Sequence, residues 1–337
     1  MTYKNILIVK LSAIGDVIHA LPVAHALKQQ YPQARITWVV EKPAYDLLTN
    51  NPDIDEIIIF DKPKFKSLAG LLTNGYTFGQ ELKSRNFDLA IDLQGLFKSA
   101  AISYLSGAPK RLVYCNAREQ SHLVGQRICG EHEQGHVVER YLDVARHLGC
   151  KVNEVLFPIH ITEIEGQTAE AIANHAGLQL DNPYIVLAPG TNWPSKCWST
   201  TRFAELADKL YADNIIPVII GGPNDKRLAQ EIIANTQVPP IDLTGKTSMK
   251  QLAYIIKKSQ AFVGGDTGPM HLAVAIGAKT VAMFGPTDPK RNGPYGDGHK
   301  VLLAPVTCQG CWQRKCPQQG ECMDKIAAEI VWQALLG

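Results

Sequence analysis

The sequence predicts an α/β protein made of two doubly wound halves facing a central cleft. Three observations carry that prediction. Short, almost wholly apolar runs recur along the chain, and each leads through a loop bearing Gly, Pro or Asp into a stretch of helical spacing. This alternation occurs twice, with a polar stretch over Ile161–Pro183 between the two series. The length of 337 residues fits two domains of about 100–200 residues each. We place the boundary between residues 165 and 166, with the last helix packing back on the first domain.

The first element is a buried strand over Asn5–Lys10, followed by a loop over Leu11–Gly15 and a helix in which Val17, Leu21, Ala24 and Lys28 keep helical spacing. Pro22 removes one backbone hydrogen bond and is expected to kink or restart that helix. Strands follow at Arg35–Val40, Glu56–Phe60 and Leu89–Leu93. The inter-series stretch holds a helix over Gly166–Ala176. The second series opens with a strand at Tyr184–Ala188, an amphipathic helix over Thr201–Tyr211 and a strand at Ile215–Ile220 ending in Gly221-Gly222. Further strands fall at Ala261–Val263 and Thr280–Phe284. Halves of this kind bind ligands beyond the carboxyl ends of their strands.

Composition narrows the function. With 45% hydrophobic and 20% charged residues the chain is an ordinary globular one. Lys+Arg 34 against Asp+Glu 32 leaves a net charge of +2, too little for a dedicated nucleic-acid binder. No apolar run approaches the roughly 18 residues that a membrane span needs, and the start does not read as a signal peptide. A cytoplasmic protein is therefore expected, with the 8 cysteines either reduced or binding something.

Three loops carry chemistry. Lys10-Leu-Ser-Ala-Ile-Gly15-Asp16 ends the first strand but matches neither a dinucleotide fingerprint nor a phosphate loop. Asp16 is either a helix cap or a carboxylate projecting into the cleft as a general base. The loop Ala188-Pro-Gly-Thr191-Asn-Trp-Pro-Ser-Lys196 opens the second half, and its backbone N–H groups, Thr191 and Lys196 can converge on an anionic ligand. Against that stands a solvated surface lysine. In Gly264-Gly-Asp266-Thr267-Gly268-Pro269-Met270-His271, Thr267 or Gly268 caps a helix whose N-terminus suits a diphosphate. Asp266 would repel phosphate, so it belongs with sugar hydroxyls or a cationic partner. His271 reads equally as a packing residue or a ligand contact.

Two other features stand out. Cys308, Cys311, Cys316 and Cys322 are compatible with a small zinc site, with free packing cysteines or with a labile disulfide. Basic residues cluster at Lys62, Lys64 and Lys66 and from Lys98 to Arg127, as a solvated face or as a surface for an anionic acceptor or anionic lipid.

The ordered set K-L-S-A-I-G-D-V-I-H, I-D-L-Q-G-L-F-K-S-A, H-V-V-E-R-Y and G-D-T-G-P-M-H-L-A followed by F-G-P-T-D-P resembles the family 9 glycosyltransferases, which include the heptosyltransferases of lipopolysaccharide inner-core synthesis. The resemblance implies a GT-B fold of two Rossmann-like domains, no cofactor, and inverting, metal-independent transfer of heptose from ADP-heptose. The acceptor it implies is Kdo-lipid A or a core oligosaccharide, met at the inner face of the cytoplasmic membrane. The opening loop and Q-G-L-x-K-S-A look closer to the type I members than to the type II members, which extend an existing heptose. By the same resemblance Asp16 matches the catalytic base. Thr191, Lys196, Asp266, Thr267, Gly268 and His271 fall on donor-binding motifs. Arg118, His136 and Arg140 match acceptor-side basic positions, and Lys62, Lys64 and Lys66 match a basic loop more loosely. The Gly221-Gly-Pro-Asn-Asp225 turn departs from the type I pattern, which has its acidic residue one place later, so Asp225 would take the ribose contact. A nucleotide-sugar epimerase on the same two-lobed fold is the rival enzyme class.

Overall fold

The structure, a computed structural model, describes residues 2–65, 67–317 and 322–337. The chain separates into two compact units, Met1–His160 and Ile161–Gly337.

The first unit is a six-stranded parallel sheet of β1 (Asn5–Val9), β2 (Arg35–Val40), β3 (Glu56–Ile59), β4 (Leu89–Asp92), β5 (Lys110–Tyr114) and β6 (Gln126–Ile128). Its spatial order is β3-β2-β1-β4-β5-β6. Helices α1 (Ile14–Gln30), α2 (Lys42–Leu48), α3 (Leu68–Lys83), α4 (Phe97–Leu105) and α5 (Val137–His147) connect the strands or flank them. Past the half-buried Asn5, β1 and β4 are buried on both faces, so Ile6–Val9 and Leu89–Ile91 read as continuous apolar runs, with Asp92 closing β4. One core layer joins Leu7 and Val9 to Phe78, Leu82 and Ile102.

Helix α1 runs through Pro22 without a break. A proline removes only its own N–H bond, and ten other residues of this helix are buried around it, including Ile18, Leu21 and Val23, so packing outweighs the missing bond.

The second unit begins with α6 (Glu163–His175) and continues with β7 (Tyr184–Ala188), α7 (Thr200–Ala212), β8 (Ile216–Ile219), α8 (Lys226–Ala234), β9 (Ile241–Asp242) and α9 (Met249–Lys258). It is completed by β10 (Ala261–Gly265), α10 (Gly268–Ala275), β11 (Thr280–Phe284), α11 (Pro289–Asn292), β12 (Lys300–Leu303) and α12 (Ala328–Leu336). Its parallel sheet has the order β9-β8-β7-β10-β11-β12, the same topology as the first. The core of this unit gathers Leu187, Phe203, Leu206, Val263 and Met283.

Two boundaries differ from expectation. The units divide at residue 160 rather than 165, and a capping box starts α6 at Glu163 rather than Gly166. Thr162 Oγ1 accepts from Glu165 N at 3.3 Å while Thr162 N donates to Glu165 Oε2 at 2.7 Å. Helix α6 then packs on α9 of the second unit. The last helix, α12, packs on α7 and β11, also in the second unit. Val331 fills that core, and Trp332 Nε1 donates to Asp213 Oδ2 at 2.6 Å.

Against the expectation of reduced or ligand-binding cysteines, one pair is oxidised. Tyr114 and Ile128 are register partners at the ends of neighbouring parallel strands, so the residues that follow them, Cys115 and Cys129, meet; these two form a disulfide. Among the described residues no helix is long and apolar enough to cross a membrane.

Candidate functional site

Each sheet reverses its winding at one point, between β1 and β4 in the first unit and between β7 and β10 in the second. Loops leaving the carboxyl ends of two such strands diverge and leave a crevice. All three chemistry-bearing loops sit at these places.

In the first unit the loops at the switch point are joined by a buried polar network. Lys10, 2% exposed, follows β1 directly and donates from Nζ to Leu93 O at 3.1 Å and to Tyr141 Oη at 2.8 Å. Gln94 Oε1 accepts from Leu11 N and from Ser12 N, both at 3.0 Å, and so clamps the loop after β1 to the loop after β4. Asp92 accepts from Gln94 N, Gly95 N and Ser99 Oγ, each at 2.9 Å. Burial pushes the Asp92 carboxyl up to about 6 despite those donors and the charge of Lys10. Burial lowers Lys10, with the carboxylates of Asp16 and Asp92 acting the other way. Gly95 has φ +65°, and a Cβ there would stand 2.7 Å from Tyr114 Cε1, so only glycine fits this turn.

Asp16 lies in the first turn of α1, half-buried, with Oδ2 accepting from Ala13 N at 3.3 Å. It is therefore a helix-start carboxylate at the switch point; the capping and the functional readings describe one and the same placement. His19, one turn on, is buried and meets the His136 ring edge-on at 5.6 Å. His136 is itself the N-cap of α5, its Nδ1 accepting from Val138 N at 3.3 Å.

The other basic positions spread out. Arg118 N donates to Gly95 O at 2.8 Å, which sets Arg118 beside the Asp92–Ser99 loop, and its charge reaches Lys10. Arg140 is buried, with Nε donating to Gly135 O at 2.8 Å, so it braces the loop before α5. Lys62 and Lys64 are exposed on the one-turn helix after β3, where Lys64 pairs with Asp61 at 3.3 Å. Lys66 lies outside the described residues. The run from Lys98 to Arg127 does not form one face. Lys110 begins β5, at the amino edge, whereas Arg118 follows its carboxyl end, and Lys98 pairs with Glu41 at 2.5 Å.

In the second unit Lys196 ends the short turn Pro194–Lys196 after β7 and reaches across the switch point to Asp266 after β10, Nζ to Oδ2 at 2.6 Å. Asp266 Oδ1 lies 3.2 Å from His271 Nε2. Burial alone would raise the Asp266 carboxyl, but His271 and Lys196 outweigh it and hold it well below the usual carboxylate range. Asp266 thus has the cationic partner expected of it, and His271 is a buried group that orients the carboxylate. Thr267 is the N-cap of α10, with Gly268 as its first residue and Pro269 next. The hydroxyl of Thr267 is buried with no partner among the described residues, as are those of Thr244 and Thr287 after β9 and β11. Such orphaned hydroxyls fit a polar ligand at the sheet's carboxyl edge.

Thr191 Oγ1 accepts from Trp193 N at 3.2 Å and shapes the loop after β7. Asp225 joins that loop from the neighbouring strand: Oδ2 accepts from Gly222 N at 2.8 Å, and a Cβ on Gly190 would collide with its carboxylate. Thr191, Lys196, Asp225, Asp266, Thr267, Gly268 and His271 are therefore brought together around β7 and β10. Lys10, Asp92 and Gln94, which the motifs contained without any assigned role, are the residues that sequence reasoning missed. A lysine inside an apolar strand end and a D-x-Q-G turn after another strand were the signals.

Comparison with known proteins follows the same lines. The family described as Glycosyltransferase family 9 (heptosyltransferase) matches residues 76–321. Lipopolysaccharide heptosyltransferase 1 of Pseudomonas aeruginosa is 30% identical over 326 residues, covering 94% of this chain and 88% of the relative. The solved glycosyl transferase family 9 protein of Veillonella parvula superposes with a TM-score of 0.87 at 25% identity, covering 100% of this chain and 98% of that one. ADP-heptose lps heptosyltransferase II of E. coli superposes with a TM-score of 0.81 at 25% identity, covering 98% of this chain and 97% of that one.

Proposed function

The chain belongs to glycosyltransferase family 9, and from that premise we propose that it transfers a heptose from ADP-heptose to the Kdo-lipid A inner core of lipopolysaccharide. The observation that carries this reading is the division of chemistry between the two switch points. The half-buried Asp16 carboxylate at the start of α1 stands at the first, above the buried Asp92 and Lys10, and a lysine held by Asp266 beside a helix N-terminus stands at the second.

That division suits transfer from a nucleotide sugar. A glycosidase needs a second carboxyl group to protonate its leaving alkoxide. A nucleoside diphosphate leaves without a proton when positive charge meets it, so one base and one cationic cradle suffice. In this reading Asp16 takes the proton of the acceptor hydroxyl as that oxygen attacks the anomeric carbon from the face opposite the diphosphate, and the configuration inverts. Lys196 and the first turn of α10 stabilise the departing diphosphate, and no metal takes part in the chemical step. Asp266 draws on part of the Lys196 charge and fixes its position. Asp225, Thr191 and the orphaned hydroxyls take the sugar and ribose edges.

Arg118 and His136 would meet the anionic acceptor, with the exposed Lys62 and Lys64 adding positive charge and Arg140 holding the loop that presents His136. Exposed Phe97, Tyr104 and Leu123, with Arg111 at 5.8 Å from the Tyr104 ring, support peripheral contact with the inner face of the cytoplasmic membrane.

Transfer onto a heptose already present is the second reading, favoured by the superposition on heptosyltransferase II. ADP-heptose incubated with Kdo-lipid A, and separately with heptosylated acceptor, tests both when products are compared by mass. A gain of one heptose on Kdo-lipid A is expected. Conversion of the donor with no acceptor present would replace the reading with an epimerase.

A further inference from the structure

The side-chain amide of Gln94 has one end engaged by the fold and one end left over. Its Oε1 accepts from Leu11 N and from Ser12 N, both at 3.0 Å. Two donors on that side require the oxygen there, so Nε2, with its two N–H groups, faces away from the loop after β1. Gln94 is 8% exposed, and among the described residues Nε2 has no hydrogen-bond partner yet is not sealed from solvent. A donor held at so buried a position without a partner costs free energy until an acceptor arrives.

The backbone around this amide is pinned on both sides. Lys10 Nζ donates to Leu93 O at 3.1 Å, Arg118 N donates to Gly95 O at 2.8 Å, and Gln94 N itself donates to Asp92 Oδ1 at 2.9 Å. With backbone and Oε1 both fixed, Nε2 loses little further freedom when it binds, as a preorganised recognition group should. Its place is also that of the proposed base. Ser12 N reaches Gln94 Oε1 at 3.0 Å, and the next N–H along, that of Ala13, reaches Asp16 Oδ2 at 3.3 Å. Adjacent backbone nitrogens stand under about 4 Å apart, so the Gln94 amide oxygen and the Asp16 carboxylate lie within about 10 Å of each other, a gap that one sugar unit can bridge.

We propose that Gln94 is an acceptor-binding residue: Nε2 donates to an oxygen of the acceptor sugar beside the hydroxyl that Asp16 deprotonates, while Oε1 holds the loop that carries Asp16. Because Nε2 can only donate, it selects an oxygen that accepts, such as a carboxylate or ring oxygen. The inference rests on the reading of the first unit as the acceptor half, so its test measures acceptor binding apart from transfer.

Gln94→Glu keeps an oxygen for Leu11 N and Ser12 N and puts a second oxygen where Nε2 stands, which deletes the donor and spares the clamp. Gln94→Met, close in volume, removes both. Calorimetry of wild-type protein and Gln94→Glu with de-acylated Kdo-lipid A, and separately with heptosylated acceptor, should show acceptor binding weakened about tenfold or more in the variant, with ADP affinity unchanged and the melting temperature within a few degrees. In turnover Gln94→Glu should act mainly on KM for the acceptor, whereas Gln94→Met should also lower kcat, because the Asp16 loop loses its anchor. Wild-type acceptor affinity in Gln94→Glu would make Gln94 a clamp alone and overturn the contact, as would equal losses of acceptor and ADP affinity. Should Gln94→Glu not fold, nuclear magnetic resonance of wild-type protein carrying isotope-labelled glutamine takes its place, with the Gln94 side-chain signal assigned by its loss in Gln94→Met. That signal should shift on addition of acceptor, and an unmoved signal overturns the contact. Wild-type protein that binds acceptor without transferring heptose refutes the catalytic reading, and the binding comparison still decides the role of Gln94. Wild-type protein that binds neither acceptor overturns the contact.

Discussion

Removing the Asp266 carboxylate should unfold the second unit more easily, by an amount the geometry bounds. Lys196 Nζ and Asp266 Oδ2 lie 2.6 Å apart with side chains 12% and 5% exposed, which at an effective dielectric of about 20 corresponds to about 6 kcal/mol of attraction. Part of this offsets the cost of burying both charges. Asp266→Ala takes the carboxylate from the Lys196 ammonium, leaving it the Asp266 backbone carbonyl at 3.4 Å, and from the His271 ring, and breaking a buried pair from one side costs about 3–5 kcal/mol. Lys196→Met together with Asp266→Ala removes both charges and should recover about 2–3 kcal/mol of that loss. Urea unfolding followed by tryptophan fluorescence reads both variants, because Trp193 lies against Lys196 and Trp198 is buried in the same unit. A loss under about 1 kcal/mol for Asp266→Ala, or losses that simply add in the double variant, would refute the reasoning.

Two further outcomes are expected. Asp92 has its folded value raised to about 6 against about 3.9 unfolded, so its protonated form fits the fold; the stability it supplies is full below about pH 4 and is lost as pH rises through about 6, by up to about 3 kcal/mol. Asp92→Asn should flatten this slope in urea titrations from pH 4 to pH 8, and an unchanged slope would assign it to other groups. Gly190→Ala drives a methyl into the Asp225 carboxylate and should weaken ADP binding about tenfold while leaving the melting temperature within a few degrees. Calorimetry with ADP checks this, and wild-type affinity would separate Asp225 from the ligand.

Much of this arrangement was legible in the sequence because it is local. An apolar strand, a Gly- or Pro-bearing loop and a helical stretch are neighbours along the chain, so the sequence alone places Asp16, Thr191, Lys196 and Asp266 at strand ends. Strand order is not local. That the loops after β1 and β4 share one crevice, and those after β7 and β10 another, follows from topology alone. The Lys196–Asp266 pair spans 70 residues and Lys10–Tyr141 spans 131, distances that no periodicity encodes. Short edge strands such as β6 and β9 carry too few residues for an alternating pattern to show. The Cys115–Cys129 disulfide depends on the pairing of β5 with β6, so it stayed hidden for the same reason. The basic run failed differently: composition clusters residues that a strand then carries to opposite edges of a sheet.

The proposal that Asp16 is the base for heptose transfer is tested most directly by turnover of ADP-heptose and Kdo-lipid A with wild-type protein and with Asp16→Ala, alongside ADP binding to each. Wild-type protein should add one heptose, and Asp16→Ala should lose about 10²-fold or more in turnover with ADP affinity little changed. Near-normal turnover by Asp16→Ala, or no heptose transfer by the wild type, would contradict it.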